Sequence, residues 1–447
     1  MTAKKRNTVI AASLAIIIIV GIAAGILIGY LIRGNSSNSP AAKEAAKLQK
    51  AHLEILTENT DVRIAKSYLN VSLPSRVGAP SPGFTNSIFK PAIKQHVVVG
   101  YVPSFELSSV TPQDLSSVSV VCYDGVDVGT SGQIVSDQNL SMLAQSGVQN
   151  LISASHLDND MVLLTAYTSS NPVIKSITRH PAASAARLAA GLVPLLRSDG
   201  FDGVSIDIEG QYAKERAGFV SFISYFHQDM QKEDRTAFLL LDTYTDSAAN
   251  PDSFYNVARL YPFVNDIFIM GYDMNSPTAA SPNAPLINEN LGNSDVQSIL
   301  SYTKVVPSQK LILGVPFYGY DFTTKNQYPY GPTKNLYPVA VTWASILATG
   351  RPQLWDPMSL TPWYKFKIGK TWHQTWFDNP VSIALKTALA NEFNLGGVGV
   401  WALGMNGNDT QMLKALEGGK APYKKEQILK AAASKIIKHK KRKAAKK

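Results

Sequence analysis

The stretch Phe201-Asp-Gly-Val-Ser-Ile-Asp-Ile-Glu-Gly210 has the pattern of a buried strand that carries acidic residues. Side chains alternate between the two faces of a strand, so Ser205, Asp207 and Glu209 share one face and the aliphatic residues between them share the other. A polar face backed by β-branched residues suits a parallel barrel, where acids near the carboxyl end of a strand reach the functional rim. Two carboxylates about 6–7 Å apart repel each other. The stretch therefore predicts a functional site.

The flanking chain has the rhythm of a (β/α)8 barrel. Short apolar runs alternate with helix-length segments, as in βα units around a parallel sheet. The predicted strands cover residues 97–102, 118–123, 162–168, 203–208, 237–243, 266–272, 311–317 and 397–402. The clearest predicted helices cover residues 182–198, 214–232 and 381–393. Eight parallel strands can close a barrel, so the sequence predicts the α/β class and a TIM barrel over residues 96–420.

A long segment between the last two predicted strands, residues 318–379, exceeds an ordinary βα connection and predicts an inserted α+β subdomain. It holds five of the six Trp residues, and the sixth is Trp401. Flat aromatic rings beside a carboxylate site suit stacking against sugars, whereas rings that pack together form the insertion's own core. The sequence leaves both interpretations open.

The net charge of +10 belongs to the basic tail, residues 421–447. From Lys424 to Lys447 the tail contains eleven Lys or Arg and one acid, so the rest of the chain is neutral overall. This distribution argues against a basic nucleic-acid surface spread over the fold, and a membrane-anchored, exported domain would seldom meet nucleic acid, so we expect no nucleic-acid partner. Apolar residues recur in the tail at helical spacing. A basic amphipathic helix on anionic lipid or a wall polymer and a solvated tail are alternative interpretations.

The amino-terminal region predicts a single membrane-spanning helix. Residues 7–32 hold no charge, which is long enough to cross a bilayer, and a cleaved signal peptide has a shorter apolar region. Basic residues precede this segment, so residues 1–33 predict a cytoplasmic stub and a retained signal anchor in the cell membrane, with an extracellular catalytic domain. Residues 34–95 predict a helical stalk and a Pro/Gly-rich linker.

The motif from Asp202 to Glu209 resembles that of the family 18 glycoside hydrolases, whose fourth barrel strand carries Asp-Gly-x-Asp-x-Asp-x-Glu. Further matches follow in the expected order on the first, sixth, seventh and eighth strands: Gly100-Tyr101, Met270-Gly-Tyr-Asp273, Gly314-Val-Pro-Phe-Tyr-Gly319 and Gly396-Gly-Val-Gly-Val-Trp401. The resemblance covers about residues 96–417. The sequences around Trp355, His373 and Trp401 look closest to the bacterial spore-cortex and germination glycosidases.

The resemblance implies a set of site residues and a mechanism. Glu209 is implied as general acid and base, Asp207 as the residue that orients the substrate's acetamido group, and Tyr272 as a hydrogen-bond donor to that group. The implied substrate-binding residues are Tyr101, Ser205, Met270, Asp273 and Trp401. Catalysis in the family is retaining and substrate-assisted, so the resemblance implies no cofactor and no metal.

One position departs from the family motif. Ser205 stands where the family has the first acid inside the motif. A serine hydroxyl can donate or accept a hydrogen bond, but it cannot share a carboxyl proton with Asp207 or repel it. We expect a shifted pH profile rather than inactivity.

Two functions of different classes follow from these residues. The first is a membrane-anchored glycosidase that hydrolyses β-1,4-linked N-acetylglucosamine glycans of the cell-wall or chitin type. The second is a catalytically weak, lectin-like glycan-binding module on the same fold. Glu209 favours the enzyme, because the resemblance implies that binding-only relatives lose this acid.

Overall fold

The computed structural model describes residues 76–84, 96–288, 293–335 and 337–417 of the 447-residue chain. The predicted membrane segment 7–32, the predicted stalk helix and the basic tail lie outside these residues. Within them, no helix is both long enough and apolar enough to span a bilayer.

Fourteen strands in the described ranges are numbered along the chain. They are β1 (Ala79–Pro80), β2 (Val97–Pro103), β3 (Val120–Asp127), β4 (Met161–Thr168), β5 (Gly203–Ile208), β6 (Phe238–Tyr244), β7 (Asp266–Met270), β8 (Leu311–Pro316), β9 (Tyr318–Thr324), β10 (Val339–Thr342), β11 (Leu354–Asp356), β12 (Thr361–Ile368), β13 (Thr371–Trp376) and β14 (Gly397–Trp401).

Eleven α-helices occur in the same ranges. They are α1 (Pro112–Ser116), α2 (Gln138–Met142), α3 (Ser146–Leu157), α4 (Asn171–Arg179), α5 (Pro181–Asp199), α6 (Arg216–Glu233), α7 (Val257–Leu260), α8 (Asp295–Tyr302), α9 (Trp343–Ala348), α10 (Pro380–Glu392) and α11 (Thr410–Glu417). Short 3-10 helices cover Ser104–Ser109, Ala213–Glu215, Tyr261–Phe263 and Ser308–Lys310.

Strands β2 to β8 and β14 form a closed parallel barrel in the order β14-β2-β3-β4-β5-β6-β7-β8. Their Val, Ile and Leu side chains are buried on both faces, as expected for strands enclosed by helices. The ring of Phe268 fills part of the interior. A Cβ at Gly314 or Gly399 would lie 2.5 Å from this ring, so both positions require glycine for this packing.

All eight predicted barrel strands are present, and two of them, β3 and β7, differ from the predicted bounds by more than one residue at an end. β3 continues to Asp127, four residues beyond its predicted end, because a bulge between Asp124 and Val126 lets it stay paired with β4. β7 ends at Met270 instead of at residue 272, because the Tyr272 N–H turns back and donates to the Met270 carbonyl oxygen at 2.8 Å. The closed parallel barrel itself is confirmed.

The insertion between β8 and β14 contains most of a second, antiparallel sheet in the order β1-β11-β12-β13-β9-β10. β1 comes from residues within the predicted linker and pairs with β11. Trp363 and Trp376 stack in the sheet's core with ring centroids 5.2 Å apart. Trp343 and Trp355 are buried as well. These four indoles are therefore packed inside the insertion. Of the two interpretations left open by the sequence, packing rather than sugar stacking holds for these four rings.

Candidate active site

The barrel has a cavity of about 680 Å³ at the carboxyl ends of its strands. Six of the eight residues singled out from the sequence line it: Asp207, Glu209, Met270, Tyr272, Asp273 and Trp401. Ser205 and Tyr101, the other two, are fully buried beneath it. The carboxyl end of the strands is where barrel enzymes place their functional groups.

Glu209 follows the last residue of β5 and points into the cavity. Its backbone N–H donates to the Thr168 carbonyl oxygen of the adjacent strand at 2.9 Å, which fixes the backbone at the rim. Burial, followed by the charges of Asp273 and Asp124, raises the pKa of the Glu209 carboxyl. A raised pKa keeps a carboxyl protonated nearer to neutral pH, as a general acid requires.

Asp207 lies two residues earlier on the same face of β5 and is 7% exposed. Its Oδ1 is buried and has no hydrogen-bond partner among the described residues. Burial, followed by the charges of Asp242, Glu209 and Asp124, raises its pKa well above the ordinary value. An unpaired buried carboxyl oxygen at a cavity wall is costly unless a ligand satisfies it.

Ser205 and Tyr101 meet below the cavity floor, one layer deeper in the barrel. The Tyr101 hydroxyl lies 2.9 Å from the Ser205 Oγ and donates to Asp242 Oδ1 at 2.5 Å. The Ser205 Oγ also donates to Asp242 Oδ2 at 3.2 Å. Both residues therefore contact the interior acid Asp242, and neither lines the cavity where the resemblance placed them.

Asp273 and Tyr272 follow β7 at the rim. Asp273 adopts a left-handed backbone with φ 57°, which Asp tolerates better than most residues. Its Oδ1 accepts hydrogen bonds from the hydroxyls of Tyr318 at 2.6 Å and Tyr320 at 2.8 Å. The insertion strand β9 supplies both donors. The insertion thus orients a cavity carboxylate as well as forming its own core.

Trp401 and Met270 complete the predicted set. Trp401 is the last residue of β14, and its ring centroid lies 5.6 Å from that of Tyr101. Met270 is the last residue of β7. The indole and the thioether add apolar surface to a cavity that is also lined by carboxyl groups, which suits the alternating polar and apolar faces of a sugar ring.

Several lining residues were not identified from the sequence: Asp124, Tyr167, Tyr244, Thr245, Asp246, Met274, Asn293 and Tyr318. Asp124 had a usable signal, because it directly follows the predicted second strand. Burial and the nearby Asp127 raise its pKa to about 6. Tyr167 lies inside the predicted strand 162–168, and Tyr244 and Tyr318 directly follow predicted strands, so a similar signal was present for them. The remaining four lie farther past strand ends or in a long connection, where side-chain alternation gives no direction.

The charge of the cavity restricts its chemistry. Five lining residues are acids, and none of the described lining residues is Lys, Arg or His. Within the part of the chain that the structure describes, no group of three or more His, Cys, Asp or Glu is arranged to hold a metal ion. Such a cavity favours a neutral, hydroxyl-rich or amide-bearing substrate over an anionic one. It is equipped for proton transfer by carboxyl groups.

Known proteins resemble this chain in sequence and fold. Di-N-acetylchitobiase from Mus musculus is 26% identical over 235 residues, which cover 47% of this chain and 62% of that protein. Cortical fragment-lytic enzyme from Bacillus subtilis is 24% identical over 229 residues, which cover 49% and 50% respectively. The chain therefore spans between half and two thirds of the length of these relatives.

The fold has solved counterparts. A GH18 chitinase from Cycas revoluta, crystallised in complex with (GlcNAc)3, superposes with a TM-score of 0.62 at 20% identity and covers 72% of this chain and 98% of that one. This likeness concerns the fold. The model of glycosyl hydrolases family 18 matches residues 95–406, well over half of the chain. Together with the motif and cavity on β5, this match shows that the chain belongs to glycosyl hydrolases family 18.

Proposed function

We propose that this chain hydrolyses β-1,4-linked N-acetylglucosamine glycans with retention of anomeric configuration. The observation that carries the proposal is Glu209, a half-buried carboxyl with a raised pKa, which lies in the cavity beside Asp207 and Asp273. The names of the matched relatives, a chitobiase and a cortical fragment-lytic enzyme, support the same substrate class.

In the first step Glu209 donates its proton to the glycosidic oxygen, and the bond from that oxygen to the anomeric carbon breaks. The acetamido oxygen of the same sugar attacks the anomeric carbon and forms an oxazolinium ion. This substrate-assisted route needs no nucleophile from the protein. The general acid must hold its proton at working pH, and the upward shift of the Glu209 pKa acts in that direction.

In the second step Glu209, now ionised, removes a proton from water, and the water oxygen bonds to the anomeric carbon as the oxazolinium ring opens. Asp207 accepts a hydrogen bond from the acetamido N–H and stabilises the positive charge of the ring. The Tyr272 hydroxyl donates to the acetamido oxygen, and Trp401 packs under the sugar. The unpaired Oδ1 of Asp207 supplies an acceptor for this contact.

The substrate that fits the whole chain best is the glycan of the cell's own envelope. The chain is proposed to be anchored through residues 7–32, with the barrel outside the cell membrane, because basic residues precede the apolar segment. An anchored hydrolase stays close to its own wall. Protease added to intact cells tests the orientation, since a barrel that remains protected would overturn it.

The catalytic test compares the full-length chain with Glu209→Gln and with Glu233→Gln. Glu233 is a matched control, because its side chain is 58% exposed on α6, outside the cavity. Each protein is incubated with chitooligosaccharides and with purified peptidoglycan, and the first products are read by proton NMR. We expect retained products from the wild type and the control, and a loss of about 100-fold or more in Glu209→Gln.

Three other results have separate meanings. Equal turnover by Glu209→Gln would remove Glu209 from its assigned role. Inverted products would overturn the substrate-assisted route. Binding of the oligosaccharides without turnover by the wild type would favour the lectin-like alternative.

A further inference from the structure

Asp242 is a buried acid on β6 that the motif does not include. Its side chain is 2% exposed inside the barrel. One carboxyl oxygen accepts from the Tyr101 hydroxyl at 2.5 Å, and the other accepts from the Ser205 hydroxyl at 3.2 Å. The position that lacks the family's acid is therefore hydrogen-bonded to a carboxyl from the neighbouring strand.

The register of the barrel places Asp242 beside Asp207. β5 and β6 pair as Ser205 with Leu240 and Ile206 with Leu241. The observed pairing ends there, and the next residues of the two strands are Asp207 and Asp242, which the same register would set opposite each other about 5 Å apart; the charge of Asp242 acts on the Asp207 carboxyl. Side chains paired in this way point to the same face, so both carboxyls face the interior. Asp207 has one buried oxygen without a hydrogen-bond partner among the described residues.

We propose that Asp242 is a positioning residue that supplies, from β6, the carboxyl partner of Asp207 that Ser205 cannot supply. Two buried carboxyls side by side cannot both ionise easily, so the pair holds one proton between its members. Tyr101 and Ser205 fix the Asp242 carboxyl while Asp207 remains free to turn towards substrate. The expected effect of Asp242 on hydrolysis rests on the proposed function. The pairing itself does not depend on turnover.

The surroundings of Asp242 agree with a shared proton. Burial raises its pKa to about 8, although the hydrogen bonds from Tyr101 and Ser205 act to lower it. Besides these two donors, the titratable groups that interact with it are Cys122, Asp124, Asp207, Glu209, Tyr255 and Tyr272. None of them is cationic. A proton is therefore the counter-charge that this pair has available within the described barrel.

The test uses Asp242→Asn, which preserves shape but cannot hold or lose the shared proton. We expect kcat on chitooligosaccharides to fall at least about tenfold with KM changed less than about threefold, because substrate contacts remain in place. We also expect Asp207 to titrate at lower pH in this variant. Carbon-13 NMR of the Asp carboxyls in the full-length chain measures this titration, and the signal that disappears in Asp207→Asn identifies Asp207. The double variant Ser205→Asp/Asp242→Asn returns an acid to the motif position and should recover much of kcat and the titration of Asp207.

The matched control is Asp356→Asn. Asp356 is a buried acid in the insertion sheet that also accepts from a tyrosine and a serine, Tyr330 and Ser359, and it does not line the cavity. This variant should leave kcat and the Asp207 titration unchanged. Circular dichroism checks that each variant is folded.

The outcomes separate the two proposals. Suppose that the wild type is active and that Asp242→Asn changes neither kcat nor the Asp207 titration. This result would overturn the inference about Asp242 and leave the proposed function standing. A lowered kcat with an unchanged Asp207 titration would also overturn it, since that result describes a structural acid. If the wild type turns over no N-acetylglucosamine glycan, the proposed function fails, and a shifted Asp207 titration still supports the pairing.

Discussion

Replacing Asp295 with Asn should stabilise the fold, and the gain should grow with pH. Asp295 is the first residue of α8 and is fully buried with Lys386 and Asp378. The Lys386 Nζ lies 2.6 Å from Asp378 Oδ1, 2.6 Å from the Ala284 carbonyl oxygen and 3.7 Å from Asp295 Oδ2. One ammonium group thus faces two carboxyls and already contacts Asp378. Asp295 is the acid that keeps its proton.

The magnitude follows from the pKa of Asp295. Burial raises it from 3.8 to about 8, although the Lys386 charge acts to lower it. An acid with a raised folded-state pKa binds more protons in the folded state, so its contribution is fully present below pH 4 and is lost as pH rises towards 8. Each pH unit in this window costs about 1.4 kcal/mol. Between pH 5 and pH 7 the loss is about 3 kcal/mol, which Asn does not incur.

Urea unfolding at pH 5 and pH 7 measures the effect on the wild type and on Asp295→Asn. We expect the stability difference between them to widen by about 3 kcal/mol over these two pH units. Asp378→Asn is the matched control, because it removes the acid in contact with Lys386. Breaking a buried ion pair should destabilise the fold by about 3 kcal/mol or more. A difference between wild type and Asp295→Asn that stays constant with pH would show that Asp295 is ionised, and would refute the reasoning.

Two further predictions concern the cavity and the insertion. Asp124→Asn removes a charge that raises the pKa of Glu209, and Asp124 carries this charge above about pH 6. The basic limb of the kcat/KM pH profile should therefore move to lower pH in this variant. A shift to higher pH would contradict this assignment. Trp363→Ala should lower the free energy of unfolding by about 3–5 kcal/mol, because the ring is 1% exposed and stacks on Trp376. Urea unfolding measures this loss. Trp363→Phe is the control, and its free energy of unfolding should fall by less.

The barrel could be predicted from the sequence because its signal is local. Each strand is a short run of apolar residues bounded by polar ones, and helix-length segments separate the runs. The two larger differences in bounds arose where backbone geometry, not composition, ends a strand. The bulge after Asp124 extends β3, and the turn of Tyr272 onto Met270 shortens β7. Neither event leaves a mark in hydrophobic periodicity.

The cavity could be predicted only in part, because alternation along a strand gives direction and not depth. Ser205 and Asp207 share one face of β5 as expected and Glu209 directly follows the strand, yet the three residues lie at different depths in the barrel. Glu209 and Asp207 line the cavity, and Ser205 lies beneath it. Tyr101 on β2 is at the deeper level as well, where it bonds to Ser205. Depth depends on the tilt and stagger of all eight strands, which a single strand does not encode.

The same limit explains why the loss of an acid from the motif cannot be judged within the motif. Asp242 lies 37 residues after Ser205 in a run that reads as an ordinary apolar strand, and only the pairing of β5 with β6 brings its carboxyl to Ser205. A layer of the barrel interior is shared by strands far apart in sequence, so an acid lost from one strand can be replaced from another. In this chain the serine retains the hydrogen bond and the next strand supplies the charge. When a motif acid is missing in this fold, the neighbouring strands therefore have to be searched for an acid in the same layer of the barrel interior.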